Sequence, residues 1–430
     1  MRLGGRASAA IEVLNEILTR HRPASDALQE WGRSHRFAGA GDRAAIGNLV
    51  FDALRKRASL AHYMESDTPR ALVLGVFAFH WRLPLDRITE MTLEEHGPGA
   101  LSVEERAKIE NPPDPAAPPW IRGDYPQWLD ASFARVFADR RAEEGEALAG
   151  RAPLDLRTNT LKTTAAKLMS VLAKYHPEKG RYAPDCIRLP VPAADGRNPN
   201  VEAEPAHGKG WFEVQDQGSQ VAALLSAAKG SEQVADICAG AGGKTLALAA
   251  IMENRGQIHA YDADRHRLRP IFERLQRAGA RNVQVIPADE VERLGTLRGK
   301  LDMVLVDAPC SGSGAWRRKP DAKWRLKPEA LAQRIEQQRQ LLASGAELLR
   351  PGGRLHYVTC SLLPEENADQ INAILKAHPD LEPIPYASQW GGRLQGEPPA
   401  SADGETRSLL LTPLDHKTDG FFIATLKRRM

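Results

Sequence analysis

The chain has 430 residues, 42% hydrophobic and 26% charged, an ordinary balance for a folded protein of two to three domains. With 58 Lys and Arg against 55 Asp and Glu, a net charge of +3 excludes a histone-like nucleic-acid binder, although a local basic face fits inside a balanced total. Four cysteines (Cys186, Cys238, Cys310 and Cys360), none in a C-x-x-C pair, exclude a disulfide scaffold and argue against a zinc knuckle, so no metal is expected.

No secretory h-region follows Met1. The most apolar run, Ala71–Phe79, falls far short of the ~20 residues that span a bilayer. A cytoplasmic protein with no membrane partner is therefore expected, and a monomer is the favoured state. Residues 1–110 read as an all-α domain: Ile11, Leu14, Leu18 and then Ile46, Leu49, Val50, Leu54 recur at helical spacing. Residues 1–60 carry ten Lys and Arg against six acids, which is either a solvated helix face or an RNA-facing surface. Residues 111–119, rich in proline, predict an extended linker and a domain boundary. Residues 120–210 read as a small α+β subdomain, with a helix over Trp128–Phe137, a strand over Leu154–Leu161, a helix ending at Leu172–Tyr175, and a loop or hairpin over 193–209.

Residues 211–430 change rhythm. Apolar β runs at Val234–Cys238, Gln257–Asp262, Val283–Ala288, Leu301–Asp307 and Arg354–Cys360 alternate with helical segments at Lys244–Asn254, Arg265–Ala278, Pro328–Leu349 and Glu365–Ala377. This alternation predicts an α/β fold with a parallel, Rossmann-like sheet, closed by an antiparallel pair at Ser408–Thr412 and Phe421–Lys427.

In such a sheet, ligands sit beyond the carboxyl ends of the strands. The first strand runs into Cys238-Ala239-Gly240-Ala241-Gly242-Gly243-Lys244, whose glycines allow a tight turn before a helix N-terminus. The loop lacks the spacing of a P-loop and of G-x-G-x-x-G. Asp262, ending the second strand, is suited to ribose hydroxyls, and Asp289, after the third, to an adenine amine. An adenosine-containing cofactor follows, with NAD and S-adenosylmethionine both open at this point.

Two further strand ends each carry a cysteine: Asp307-Ala-Pro-Cys310-Ser-Gly and Thr359-Cys360-Ser, the latter followed by Pro364-Glu-Glu-Asn367. A lone cysteine is usually a small buried hydrophobe, the reading that suits Cys186. A pair at the rim of one sheet suits methylation of cytosine C5. That carbon is a poor nucleophile until a thiolate adds to C6, a carboxyl group near N3 (here Asp307) offsets the ring charge, and a base later removes the C5 proton. A thiol with an ordinary pKa of about 8.5 needs nearby cations or a helix N-terminus for this task.

These motifs, in this order, resemble those of the RNA (cytosine-5) methyltransferases of the bacterial Sun/Fmu and eukaryotic nucleolar types. The likeness runs from Trp120 to Leu426 and includes Leu156-Arg-Thr-Asn-Thr-Leu161, Val214-Gln-Asp-Gln-Gly-Ser-Gln220 and His416-Lys-Thr-Asp-Gly-Phe-Phe422. The resemblance implies S-adenosylmethionine as cofactor, Cys360 as the nucleophile, Cys310 in adduct breakdown, and Arg267 near the cofactor ribose. Ala241 departs from the family pattern, which has proline there. Residues 1–95, best at Gly41–Arg55, resemble a NusB-type RNA-binding domain more loosely, which points to small-subunit ribosomal RNA. Cytosine-5 methylation of tRNA or DNA, and a non-catalytic ribosome-assembly factor, are the alternatives. The DNA enzymes use a Pro-Cys-Gln nucleophile, whereas Ser311 follows Cys310 here. Around Trp316-Arg-Arg-Lys and Lys323-Trp-Arg325, tryptophans pack under the loop or stack on bases, and cations at 317–327 suit phosphates. Arg265, Arg267, Arg269, Arg274 and Arg277 form a further basic run, read mainly as solvated surface.

Overall fold

The computed structural model describes residues 1–113, 116–191 and 199–430; Asp114 and Pro115 of the expected linker and positions 193–198 of the expected loop lie outside the described residues. The chain forms two compact units. The first comprises Met1–Arg151 and Trp316–Leu326 among the described residues, and the second Ala152–Val191 and then 199–315 and 327–430.

The first unit is helical. Helix Leu3–Arg20 buries Ala7, Ala10, Leu14 and Ile17 along one stripe, and helix Ala40–Arg55 buries Ile46, Leu49, Val50, Ala53 and Leu54. Pro69 opens helix Pro69–Gly75 behind a Thr68 cap that accepts from the Ala71 N–H at 3.3 Å. Asp52, with no exposed surface, accepts from Arg151 at 2.6 Å, Arg55 at 2.9 Å and the Trp81 indole at 3.0 Å. Those cations hold its carboxyl below the usual range against the opposing effect of burial.

The helical unit continues past the proline-rich segment, where the sequence places a boundary. Tyr125, Phe133 and Phe137 are buried, with Phe133 stacked on Tyr125 at 4.4 Å and on Trp316 at 6.1 Å. The α+β subdomain accordingly has its first strand at Leu154, and its described sheet ends at Val214. The same packing removes part of the basic run 317–327 from the surface, while Lys319, Arg325 and Lys327 stay exposed. Trp316 is 1% exposed, Arg317 is buried, and the Trp324 indole donates to the Leu54 carbonyl at 2.6 Å. Lys323 is fully buried, donating to the carbonyls of Arg55 (2.9 Å) and Asp124, and burial lowers its pKa to about 7. Such a lysine holds protein backbone and has no reach to a phosphate.

The second unit holds two sheets. In the smaller, β1 (Leu154–Thr158), β2 (Glu178–Lys179), β3 (Cys186–Leu189) and β4 (Phe212–Val214) are antiparallel in the order β2-β3-β1-β4. Leu156, Ile187 and Phe212 fill one face of it. Asn159, just past β1, donates to the carbonyls of Gly210 and Ala278 at 2.8 Å each. Within the stretch expected as loop or hairpin, Val201–Ala203 and Pro205–Gly208 form short helical turns.

The larger sheet contains β5 (Gln233–Asp236), β6 (Gln257–Tyr261), β7 (Val283–Ile286), β8 (Leu301–Asp307), β9 (Leu349–Thr359), β10 (Leu381–Ile384), β11 (Ser408–Leu411) and β12 (Phe421–Arg428). The parallel core runs β7-β6-β5-β8-β9, as the alternation predicts. Antiparallel β12 adds to β9, and its outer edge pairs with β11 along one half and β10 along the other. The sequence reading has the β11–β12 pair but lacks β10, four residues with a proline in the third position. Helix Arg265–Ala278 is broken into Arg265–Leu268 and Ile271–Ala278, because Pro270 lacks the N–H that would continue the ladder. Strand order reverses between β5 and β8, so the loops after these two strands open the crevice in which ligands of this fold bind.

One core residue carries a pH consequence. His356 on β9 is fully buried, with Nε2 donating to the Ala222 carbonyl at 2.8 Å and Nδ1 facing the Thr425 hydroxyl at 2.9 Å. Burial lowers its pKa to about 4. The unfolded imidazole titrates near 6.5, so between pH 6.5 and 4 the unfolded chain binds the extra proton. Stability is expected to fall by about 3 kcal/mol over that window as pH drops. Denaturant titrations at pH 7 and pH 4.5 check this, and His356→Gln should flatten the slope.

Candidate active site

The loop after β5 turns through two residues in the left-handed region, Gly240 (φ 50°) and Gly242 (φ 86°). A Cβ on Gly242 would lie 2.6 Å from Ile271 Cγ1, so both conformation and space demand glycine. The Gly240 N–H donates to Asp262 Oδ2 at 2.9 Å, and Arg274 Nη1 donates to the Ala241 carbonyl at 2.8 Å. These bonds restrain the loop at the position where the family pattern has proline. Gly242→Ala is expected to cost about 1–3 kcal/mol in stability and to weaken cofactor binding more than tenfold, as calorimetric titration would measure.

A cleft of about 700 Å³ opens beside this loop, lined by Ile237 and Cys238, by Tyr261 and Asp262 at the end of β6, by Arg267 on the helix that follows, and by Val291 and Leu294. Apolar walls with a few polar groups suit an adenosine-containing molecule. Asp262 lies in the cleft, but it is 4% exposed and one oxygen already serves Gly240; Arg267 sits 3.7 Å from it. Cys238 lines the cleft as a buried thiol whose pKa burial pushes well up, so it offers a wall and no nucleophile. Asp289 is exposed in the segment just before Val291 and Leu294, which line the cleft. Arg274 and Arg277 each hold Glu213 at 2.8 Å, so these two members of the basic run are internal ties, not solvated surface.

The two rim cysteines meet. Cys310 Sγ and Cys360 Sγ lie 3.4 Å apart, both half-buried. The contact between them, and burial, raise the Cys310 thiol well above the ordinary value, while the same contact, and further Lys244, lower Cys360. Lys244, assigned from sequence to the cofactor loop alone, extends toward the thiols: its Nζ lies 2.8 Å from Asp307 Oδ1 and 5.3 Å from the centre of the Phe421 ring. Asp236, at the end of β5, accepts from the Thr245 hydroxyl at 2.7 Å; burial raises its carboxyl to about 7.

Glu366 is the functional residue that the sequence reading left unassigned. It is completely buried, and its carboxylate accepts from the Ser311 N–H at 2.7 Å, the Ser311 hydroxyl at 2.5 Å and the Gln338 amide at 3.0 Å. Asn367 accepts from the Thr359 hydroxyl at 2.6 Å and donates to the Ser361 carbonyl at 2.9 Å. Glu366 thus ties down the residue after Cys310, and Asn367 the residues on either side of Cys360. The only signal for this in the sequence was their place behind Thr-Cys-Ser.

Comparison with known proteins agrees with this geometry. The family model described as 16S rRNA methyltransferase RsmB/F matches residues 222–427. A protein of Synechocystis sp. named "Probable ribosomal RNA small subunit methyltransferase B" is 33% identical over 313 residues, covering 71% of this chain and 67% of that protein. The chain belongs to the RsmB/F methyltransferase family. It spans about two thirds of the length of that relative. The crystal structure of a methyltransferase homolog from Pyrococcus horikoshii is 30% identical, with TM-score 0.58 over 72% of this chain and 97% of its own. The protein PH0851 shares the fold along the whole of both chains, with TM-score 0.75 at 24% identity. The family and its fold are those that the ordered motifs implied.

Proposed function

We propose that this RsmB/F family member is an S-adenosylmethionine-dependent RNA (cytosine-5) methyltransferase acting on small-subunit ribosomal RNA through a covalent Cys360–C6 adduct. The observation that carries the mechanism is the 3.4 Å thiol pair with its unequal proton affinities. S-adenosylmethionine, held by the cleft at Ile237–Cys238 and Tyr261–Asp262, supplies an electrophilic methyl group. The chain's own residues do the rest.

The Cys360 thiolate adds to C6, and the electron pair of the C5–C6 bond is driven onto the ring, making C5 nucleophilic. Asp307, hydrogen-bonded to the Lys244 ammonium at 2.8 Å, relays a proton to N3, which neutralises the negative charge driven onto the ring, and takes it back when the double bond reforms. Once Cys360 is bonded to C6, it no longer stabilises the Cys310 thiol as a hydrogen-bond acceptor, and Cys310 releases its proton to solvent; after methylation the Cys310 thiolate removes the C5 proton, the C5–C6 double bond reforms and the Cys360 thiolate leaves. Glu366 and Asn367 keep the two loops in register. The helical first unit, loosely similar to NusB-type domains, is proposed to contribute RNA affinity. A cytoplasmic setting would keep both thiols reduced, and among the described residues no helix is long and apolar enough to cross a membrane.

Tritium transfer from labelled S-adenosylmethionine to small-subunit ribosomal RNA, tRNA and duplex DNA tests the substrate. Incorporation into ribosomal RNA at a single cytosine, located by bisulfite sequencing, is expected. Transfer to DNA alone would overturn the reading.

A further inference from the structure

A second cleft of about 480 Å³ shares no lining residue with the cofactor cleft. It brings together the two motifs that the mechanism leaves unused: Arg157, Thr158 and Leu161 come from Leu156–Leu161, and Gln220 from Val214–Gln220. Helix Gly243–Ile251 supplies part of the opposite wall.

Its polar groups are buried and short of partners. Arg157 is 8% exposed and has no carboxylate within ion-pair distance among the described residues; it makes one long hydrogen bond, 3.4 Å, to the Gly243 carbonyl. Glu213, directly across from it on β4, is already taken by Arg274 and Arg277. Arg157 Nε, Thr158 Oγ1 and Gln220 Oε1 are all buried without a hydrogen-bond partner, and Thr158 and Gln220 are each 2% exposed. The two uncharged atoms are sealed from the cleft, but a buried cation with no counter-charge is costly to the folded state unless a ligand completes it. Burial lowers the Arg157 pKa to about 10, which leaves it charged at neutral pH.

The mixture of groups defines the ligand. Asp185 and Glu253 line the cleft beside Arg157 and Arg393, so its charge is balanced and gives a bare phosphate no net attraction. The apolar surface of Leu161, Pro184, Leu224 and Ile251 suits a flat ring, and the cleft needs both acceptors and donors on that ring's edge. Guanine has both: an O6/N7 acceptor pair that arginine reads, and N1–H and N2–H donors for a carboxylate or amide oxygen. We propose that this cleft is a nucleobase site for an unstacked guanine of the RNA that the enzyme holds. The source of that guanine rests on the RNA methyltransferase reading; the pocket itself does not.

The test is direct binding of the four ribonucleoside 5′-monophosphates to the full chain, with the cofactor cleft saturated by S-adenosylhomocysteine. GMP should bind at least tenfold more tightly than AMP, CMP or UMP. Arg157→Gln should weaken GMP at least tenfold. So should Leu224→Trp, which fills the cleft from a half-buried position, without changing S-adenosylhomocysteine affinity. Absence of GMP preference, or GMP binding that survives Leu224→Trp in a variant that still binds S-adenosylhomocysteine, overturns the proposal. GMP binding in a chain that methylates no RNA would support the pocket and defeat the functional reading, so the two failures are separable.

Discussion

Cys360→Ala is expected to abolish methyl transfer, with at least a thousandfold loss of turnover, while Cys310→Ala is expected to trap RNA on the protein. The two thiols look equivalent in composition and in position, each just past the end of a parallel strand. Their electrostatics separate them. The contact between them and Lys244 lower the Cys360 thiol, which makes it the readier thiolate, while the same contact and burial raise Cys310. Without Cys360 no C6 adduct forms, and C5 remains unreactive. Without Cys310 the adduct still forms but loses its base, so a protein–RNA band should persist on a denaturing gel. Gel shift after denaturation, with labelled RNA and S-adenosylmethionine, measures both. Wild-type turnover in Cys360→Ala, or a trapped band in Cys360→Ala but none in Cys310→Ala, would reverse the assignment.

Lys244→Ala is expected to lower activity at pH 7 by about a hundredfold, with partial recovery at pH 9. The ammonium does two things at once: it favours the Cys360 thiolate and holds Asp307 at 2.8 Å. A nearby cation is worth a few kcal/mol to a reacting anion in a partly desolvated site, and about 2.7 kcal/mol is a factor of a hundred. The sign follows from the direction of the shift. Removing the cation raises the Cys360 pKa, so the thiolate fraction at neutral pH falls and returns as pH rises. The rate of Cys360 alkylation by iodoacetamide against pH reads this independently of RNA. An unchanged alkylation profile in Lys244→Ala would confine the lysine to holding Asp307.

Much of the second unit was legible because its signals are local. The alternation of short apolar strands and helical segments needs no distant partner to be read, and β5 through β9 appear in the expected places. Strand β10 was missed because four residues with a proline carry no period; only pairing with the edge of β12 makes them a strand. Within the basic run at residues 317–327, Lys319, Arg325 and Lys327 are exposed, yet Lys323 is buried among backbone carbonyls and the neighbouring Trp316 is stacked on Phe133. Charge in a sequence carries no information about depth.

The sequence by itself determined the reaction class, because the cofactor loop, Asp307 with Cys310, and Cys360 are carried on contiguous motifs whose order and chemistry leave little freedom. The folded chain alone reveals that the two thiols meet and have unequal proton affinities, that Lys244 serves the thiols as well as the loop, that Glu366 ties down the Cys310 loop, and that Arg157, Thr158 and Gln220 line a second cleft. Each of these depends on distance and burial between residues far apart in the chain, and on the low local polarity that makes a 3 Å contact count. Periodicity and spacing do not encode those quantities; the packed fold creates them.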